Sequence, residues 1–506
     1  MEDISERMRR IVSFTNPFKY ISAGENTYHP TRNPKGIISF ALAQNRLCGD
    51  LMLEQVKKLD LSECDGAALL QYQDIRGMPA FRKAIADFLK DYTNSPQDID
   101  PDKIRVCNGL TALTEVMAFI LCNEGDTILS PSPMYSGIVK DTGRRPNVNF
   151  HPIHLSSKPG AEGEEPYTLT VEHLERGYQE ATQQGKQVRV LSLVNPLNPL
   201  GTVYTKPQIL EYLQFAKRHN LHVLLDEIYL CSVYDQTKPF CSVLSLREDE
   251  IPDLNRTHFM WSFSKDFCFN ASKCGVLYSW NEKVLEAATV LIDYHSVSSV
   301  IQITLTQILQ NKEWLHNVYF KTCHERLREA RDITMVTLDE MGVAYIKPTA
   351  GFYIWADFSK FLGASTHAEE KSLCCHLLSC GVMILVSAGF YGNEPGWFRV
   401  LFCNPKPELE EGLKRLKEGC LSYKPGTGSA IADDLANDLA NDLAGDLADV
   451  EILGASGESL ESLVRSFKVS LQNSDWLKEN TSDMWRNENP EVSETWIKEL
   501  EKNPPE

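Results

Sequence analysis

The sequence predicts an α/β protein with a large domain on a mostly parallel sheet, a smaller α+β domain after it, and an acidic tail outside both. Three observations predict this. Short unbroken apolar runs such as Val188–Val194 alternate with amphipathic helices, the pattern of a sheet covered on both faces. Ile104-Arg105-Val106-Cys107 passes through Asn108-Gly109-Leu110-Thr111 into Leu113, Val116, Met117, Ile120 and Leu121, which share one helical face, so strand, glycine turn and helix follow directly. Beyond Pro425 the apolar periodicity stops, and Asp434-Leu435-Ala436-Asn437 is followed by one exact copy and two variants of the same tetrapeptide. At 506 residues the chain is too long for one core.

Taken in order, residues 1–35 carry scattered arginines and aromatics and the turn-forming Tyr28-His29-Pro30-Thr31-Arg32-Asn33-Pro34, so they read as an extended arm with at most one short helix. A large domain is expected over 36–315. Within it, 81–92 has helical spacing. Strands are expected at Ile104–Cys107, 127–130, Val188–Val194, 221–226, 259–262 and 276–279, with a helix over 208–218. Helical periodicity dominates 284–341. A small domain, 316–423, follows from strand-like pieces at Ala344–Ile346, 351–356, 382–386 and 397–402 alternating with helices at 369–379 and 407–418. The tail, 424–506, reads as a solvated acidic linker in which Trp476, Trp485 and Trp496 are candidate anchors for a protein partner.

The formal net charge of -18 is uneven. Residues 421–506 hold 18 Asp plus Glu against 7 Lys plus Arg, a net of -11, which leaves -7 for the rest. No basic block marks a nucleic-acid surface, an acidic face is repelled by anionic membranes, and no run of 18 apolar residues is present to span one. The 14 cysteines lack the regular spacing of a disulfide framework, and Met1-Glu2-Asp3-Ile4 opens no apolar leader. Reduced thiols and a cytosolic location are the expectation. Cys374, Cys375 and His376 are zinc-ligand types, but neighbours on a helix point about 100° apart and cannot converge on one ion, so no metal site is expected.

The chemistry gathers where such sheets bind ligands, beyond the carboxyl ends of the strands. Trp261-Ser262-Phe263-Ser264-Lys265-Asp266-Phe267 ends a buried strand in a polar loop, which places Lys265 where a desolvated amine can attack a carbonyl. Gly109, Leu110 and Thr111 open a helix whose N–H groups suit a phosphate, and Ser262 and Ser264, the hydroxyls flanking the lysine, are further cofactor-binding candidates. Asn195-Pro196-Leu197-Asn198-Pro199 fixes the Asn198 amide above the sheet edge. Asp226 in Asp226-Glu227-Ile228-Tyr229 needs a cation to offset its burial. Together these ask for a phosphate, an aldehyde for the lysine, a ring nitrogen for the carboxylate and a ring hydroxyl for Asn198 and Tyr229. Pyridoxal 5'-phosphate meets each requirement, with Tyr135 stacked on its ring.

The wording and spacing of Tyr28 to Pro34, Asn195 to Thr202, Asp226 to Tyr229, Ser262 to Asp266 and Pro395-Gly396-Trp397-Phe398-Arg399 resemble the 1-aminocyclopropane-1-carboxylate synthase-like proteins. These lie within the class I/II aminotransferase superfamily of fold type I. The resemblance covers about residues 25 to 420. It implies the same cofactor assignments, a homodimer with sites at the subunit boundary, an amino-acid substrate, and Arg399 as the guanidinium that clamps the substrate α-carboxylate. From the sequence alone, an arginine inside a buried strand needs an anion, and an internal ion pair is the alternative.

Three departures from the family pattern bear on function. Ala43-Gln44-Asn45 stands where the synthases carry alanine-glutamate-asparagine, so Gln44 lacks the carboxylate that would face a cationic sulfonium substrate. Ile75 stands where a tyrosine reaches the partner subunit's cofactor phosphate, and Lys273 stands where an arginine binds phosphate. The expectation is therefore an enzyme acting on α-amino acids through an external aldimine, as an aminotransferase or as a lyase or deaminase of unsaturated or γ-substituted amino acids. The alternatives are a true 1-aminocyclopropane-1-carboxylate synthase on S-adenosylmethionine, and a catalytically weak pseudoenzyme with an interaction tail.

Overall fold

In chain order, a short strand β1 (Ile38–Ser39) precedes seven that build the main sheet: β2 (Ile104–Cys107), β3 (Thr127–Ser132), β4 (Asn149–His154), β5 (Val188–Val194), β6 (His222–Asp226), β7 (Thr257–Ser262) and β8 (Gly275–Ser279). The computed structural model describes residues 4–13, 26–58, 66–160, 165–235 and 237–425. The expectations for the acidic repeat and the tail tryptophans lie outside them.

The sheet runs β2-β8-β7-β6-β5-β3-β4, parallel throughout except for β8, which is antiparallel to both of its neighbours. Continuous apolar strands fit it because alternate residues serve opposite faces. Val190, Leu224, Met260 and Leu277 pack under the helices Gly109–Leu121 and Glu282–Ile292, and Leu191, Val223, Leu225, Phe259, Trp261 and Val276 join the larger core on the other side. Two-sided burial of this kind contributes about 1.5–3 kcal/mol per large side chain.

The second sheet has the order β12-β13-β10-β9, from β9 (Ala344–Ile346), β10 (Tyr353–Asp357), β12 (Leu385–Val386) and β13 (Trp397–Leu401), and β11 (Val382–Met383) pairs instead with β1. The single strand expected over 382–386 is thus two. The chain changes partners at the fully buried Ile384, running parallel to β1 before it and antiparallel to β13 after it. The expected 315/316 domain boundary falls at the start of a π-helical turn, Leu315–Phe320, which leads into the long helix Lys321–Glu340.

Strand β4 and the helix Val171–Gln183 are among the elements that were not legible. Strand β4 is an edge strand containing Pro152, with alternating exposure, and neither feature marks a strand interior. Helix Val171–Gln183 buries only Leu174, Gly177 and Ala181, although Thr170 and His173 form a capping box at its start. The arm contains the one expected short helix, Glu6–Ser13. Among the described residues, no single helix is long and apolar enough to cross a membrane.

Candidate active site

Strand register aligns the site. Cys107 lies beside Gly275 and Gly275 beside Ser262, while Asp226 lies between Val194 and Met260. The ends of β2, β5, β6 and β7 therefore share one edge. Ser262 terminates β7 and its Oγ accepts the Ser264 N–H at 3.2 Å, so Phe263–Asp266 forms a single helical turn where the sequence reading expected a loop. That turn carries Lys265.

The Lys265 ammonium donates to the Ala43 carbonyl. Burial, with the positive charges of Arg399 and Lys273, pushes it down to about 8, against the opposing pull of Cys403 and Asp226. Asp226 moves the other way. Its Oδ1 accepts the Ile228 N–H at 3.0 Å, yet burial raises the carboxyl to about 7, and Lys265 only partly opposes this. A carboxylate so placed gains its full charge only when a cation meets it, and a pyridinium nitrogen is one.

Arg399, 3% exposed in β13, donates from Nη1 to Asn198 Oδ1 at 3.0 Å and from Nη2 to the Ala41 carbonyl at 2.6 Å. Its guanidinium carbon lies 4.7 Å from the Phe390 ring centre and 5.7 Å from that of Tyr353. Among the described residues no carboxylate pairs with it and its buried Nε has no partner, so the internal ion pair is not what holds it. Asn198 Nδ2 in turn faces Tyr229 Oη at 3.4 Å. Asn198, Tyr229 and Arg399 thus form one chain of donors. Burial holds the Tyr229 phenol well above its ordinary range, so it stays protonated.

On the phosphate side, Gly109 has φ +85° at the first turn of its helix, and a Cβ there would lie 3.7 Å from Lys273 Cδ. A Cβ on Gly275 would come within 2.8 Å of the Gly109 carbonyl carbon. Both glycines thus permit a close approach at the helix start. Leu110 is buried behind that turn, Thr111 is exposed, and Ser262 Oγ lies 3.0 Å from Ser264 Oγ. N–H groups, two hydroxyls and Lys273 fit a phosphate, as Asp226 fits a ring nitrogen and Lys265 an aldehyde.

The remaining expected residues stand further out. Tyr135 is 42% exposed, its ring lying over Gly137. Gln44 is exposed, and it is its backbone carbonyl that engages the site wall, accepting from Cys403 Sγ at 3.2 Å. Ile75 is 42% exposed. Cys374 and Cys375 donate to the carbonyls of Ile384 and Lys371, and His376 meets Ser422, so these three turn apart as expected of helix neighbours.

Sequence reasoning missed two contributors. The carbonyls of Ala41 and Ala43, which hold Arg399 and Lys265, leave no residue-type signal because any side chain supplies a carbonyl. Asp266 is different. Its buried carboxylate accepts from Cys231 N and Trp261 Nε1 at 2.9 Å and from Ser232 Oγ at 2.7 Å, tying the turn after β6 to the lysine's helix. An acid directly after a desolvated lysine, at a buried strand end, was the available clue.

Residues 37–416 match the family model described as aminotransferase class I and II. A human protein named "Probable inactive 1-aminocyclopropane-1-carboxylate synthase-like protein 2" is 37% identical over 396 residues, covering 78% of this chain and 69% of its own length. The 1-aminocyclopropane-1-carboxylate synthase-like protein 1 of Takifugu rubripes is 33% identical over 513 residues, covering 94% and 82%. The 1-aminocyclopropane-1-carboxylate synthase 6 of Arabidopsis thaliana is 34% identical over 405 residues, covering 78% and 80%. Among solved structures, aspartate aminotransferase from Thermus thermophilus with maleate matches with a TM-score of 0.67 over 83% of this chain and all of that one, at 17% identity, a likeness of fold. The chain therefore belongs to the class I and II aminotransferases, in their 1-aminocyclopropane-1-carboxylate synthase-like group, and the cofactor its site fits is that family's pyridoxal 5'-phosphate.

Proposed function

We propose that this chain is an enzyme of α-amino acids, working as an aminotransferase or as a lyase or deaminase of unsaturated or γ-substituted amino acids, as a cytosolic homodimer. One observation carries the reading: the charges of Arg399 and Asp226 both act on Lys265 at the carboxyl edge of the main sheet, and the lysine's proton affinity is depressed. Bound cofactor supplies an electron sink next to the substrate's α-carbon. The protein's share is to place and protonate. Arg399 presents its guanidinium to the α-carboxylate, with Asn198 holding one edge of it. Lys265, half neutral near pH 8, is the base that takes the α-proton and can return it elsewhere. Asp226 would offset the positive charge of a protonated ring nitrogen, and Tyr229, kept protonated by burial, would donate to the ring oxygen.

Gln44 disfavours ring closure on S-adenosylmethionine, since an amide offers a sulfonium far less attraction than a carboxylate. The test is to mix purified protein with a panel of amino acids, following the cofactor spectrum and the products. A 2-oxo acid formed with amino-group transfer supports transamination, and a 2-oxo acid with free ammonia supports the lyase or deaminase. Cyclopropane product from S-adenosylmethionine overturns the preference.

A second reading, a pseudoenzyme, draws on the human relative named as probably inactive and on Ile75, which has no hydrogen-bonding group. Cofactor-loaded protein that converts no amino acid in the panel favours it. Lys273 bears on cofactor retention: a lysine offers a point charge where an arginine offers a fork. Lys273→Arg is expected to lower the cofactor's dissociation constant about tenfold, or about 1.4 kcal/mol. Equilibrium dialysis checks this, and weaker binding refutes it.

A further inference from the structure

Glu370 is a buried acid with no part in the chemistry above. It lies on the helix His367–Ser379 at 0% exposed, and a carboxylate that deep has to be met by donors. Most of them come from one loop, 387–396. Oε1 accepts the Ala388 N–H at 3.2 Å and Oε2 accepts the Gly396 N–H at 2.9 Å, while Ser387 Oγ stands 3.3 Å from Oε2 and donates to the Glu394 carbonyl at 2.9 Å. His367 Nδ1 meets the same carboxyl, 3.2 Å from Oε2. The acid thus gathers both ends of the loop against one point.

So gathered, the loop reaches the site. Its first part, Ser387–Phe390, is a tight turn ending at Tyr391, whose φ of +57° is uncommon for a residue with a side chain and persists where the surroundings enforce it. Those surroundings are the end of β3 and the residues after it. Met134 donates its N–H to the Phe390 carbonyl at 2.9 Å, and Ser132 Oγ donates to the Tyr391 carbonyl. Beyond β4, Ser156 Oγ and the Ser157 N–H donate to the Glu394 carboxylate at 3.0 and 2.9 Å. Held from both sides, Phe390 is 2% exposed. Its ring stands nearly perpendicular to that of Trp355, centres 5.4 Å apart, with the Arg399 guanidinium carbon 4.7 Å from its own centre.

Arg399 commits Nη1 to Asn198 and Nη2 to the Ala41 carbonyl, and is itself 3% exposed. With so little of it showing, what covers its face decides how it meets a carboxylate. An aromatic face attracts the cation through the ring quadrupole and takes up none of its donors, so the uncommitted N–H groups stay available to an anion. An aliphatic side chain of similar bulk covers the same face without the attraction. We propose that Phe390, presented by the loop that Glu370 clamps, is a positioning residue for the substrate's α-carboxylate and holds the plane of the Arg399 guanidinium, on the reading that Arg399 is that carboxylate's partner.

A pair of probes separates carboxylate recognition from the reaction at the cofactor. Amino-oxyacetate and O-methylhydroxylamine both condense with the cofactor's aldehyde carbon through an oxyamine nitrogen, and only the first carries a carboxylate. Stopped-flow absorbance of the full-length, cofactor-loaded protein gives a second-order rate constant for each, and their ratio reports the preference for a carboxylate. Wild type is expected to favour amino-oxyacetate. Phe390→Leu is expected to cut the ratio about tenfold while leaving the O-methylhydroxylamine rate within about twofold of wild type. Ring-trifluorinated phenylalanine at the same position keeps the shape but drains the ring face of negative charge, so it is expected to cut the ratio about threefold, which a packing role does not produce. A preference lost in Arg399→Lys but unchanged in both Phe390 variants overturns the proposal and leaves the reading of Arg399 standing. A wild type without the preference, or an Arg399→Lys variant that keeps it in full, overturns both.

Discussion

Lys265→Ala is expected to abolish covalent retention of the cofactor and to lower turnover of any amino acid found to be a substrate by about 10²–10⁴, the range of a lost general base. The effect is this large because one amine serves twice, holding the aldehyde and then moving the α-proton, and nothing nearby replaces it. Lys273, whose charge also acts on Lys265, stands at the phosphate end beside Gly109. The readout is the absorbance of gel-filtered protein with borohydride trapping and peptide mapping. Wild type is labelled at Lys265 and the variant is not. Brief exposure of cofactor-free protein to pyridoxal 5'-phosphate, followed by borohydride trapping across a pH series, adds a second check. The reactive species is the neutral amine, so labelling rises with pH through a midpoint near 8, where Lys265 loses its proton, and not near the ordinary 10.5 of a solvated lysine. A midpoint near 10.5 would mean that the site does not desolvate the amine.

The carboxyl edge of the main sheet was readable because each chemical residue there ends an apolar run. Asp226 after Val223-Leu224-Leu225, and Lys265 after Phe259-Met260-Trp261-Ser262, break a pattern that otherwise dictates burial. Alternation also separates neighbouring acids. Asp226 faces Lys265, while Glu227, 0% exposed, turns away and accepts the Val243 N–H at 2.8 Å. Arg399 was readable as a buried cation needing a partner, but not its actual partners. The carbonyl of Ala41 and the ring of Phe390 come from segments with no periodic signal, and only the tertiary fold brings them together. The split of 382–386 between two sheets was hidden for the same reason. A run of five apolar residues fixes strand character, but the choice of partner on each side of Ile384 depends on where β1 and β13 arrive.

Asp226→Asn separates what the fold tolerates from what the chemistry needs, and the two readouts are expected to move in opposite directions. In the cofactor-free protein the folded carboxyl titrates at about 7 against 3.8 when solvated, because burial disfavours its charge. A folded-state value above the unfolded one means the unfolded chain sheds this proton first. The contribution to stability is whole below 3.8 and is lost as pH rises through about 7, so above that value the ionised side chain is a burden on the fold. Asparagine removes the burden while keeping the shape, and one oxygen can still accept the Ile228 N–H. The cofactor-free variant should therefore melt higher than wild type at pH 8, by on the order of 1–3 °C, and the difference should vanish at acidic pH, where the wild-type carboxyl is already protonated. With cofactor bound the sign reverses. The amide cannot hold negative charge against a protonated ring nitrogen, so turnover is expected to fall about 10²–10³, as when a preorganised charge aimed at the reacting group is lost. Thermal melts of cofactor-free and loaded protein at two pH values, set beside steady-state rates, test both halves. A variant that melts lower without cofactor and keeps its rate would mean that Asp226 holds the fold and leaves the chemistry to other groups.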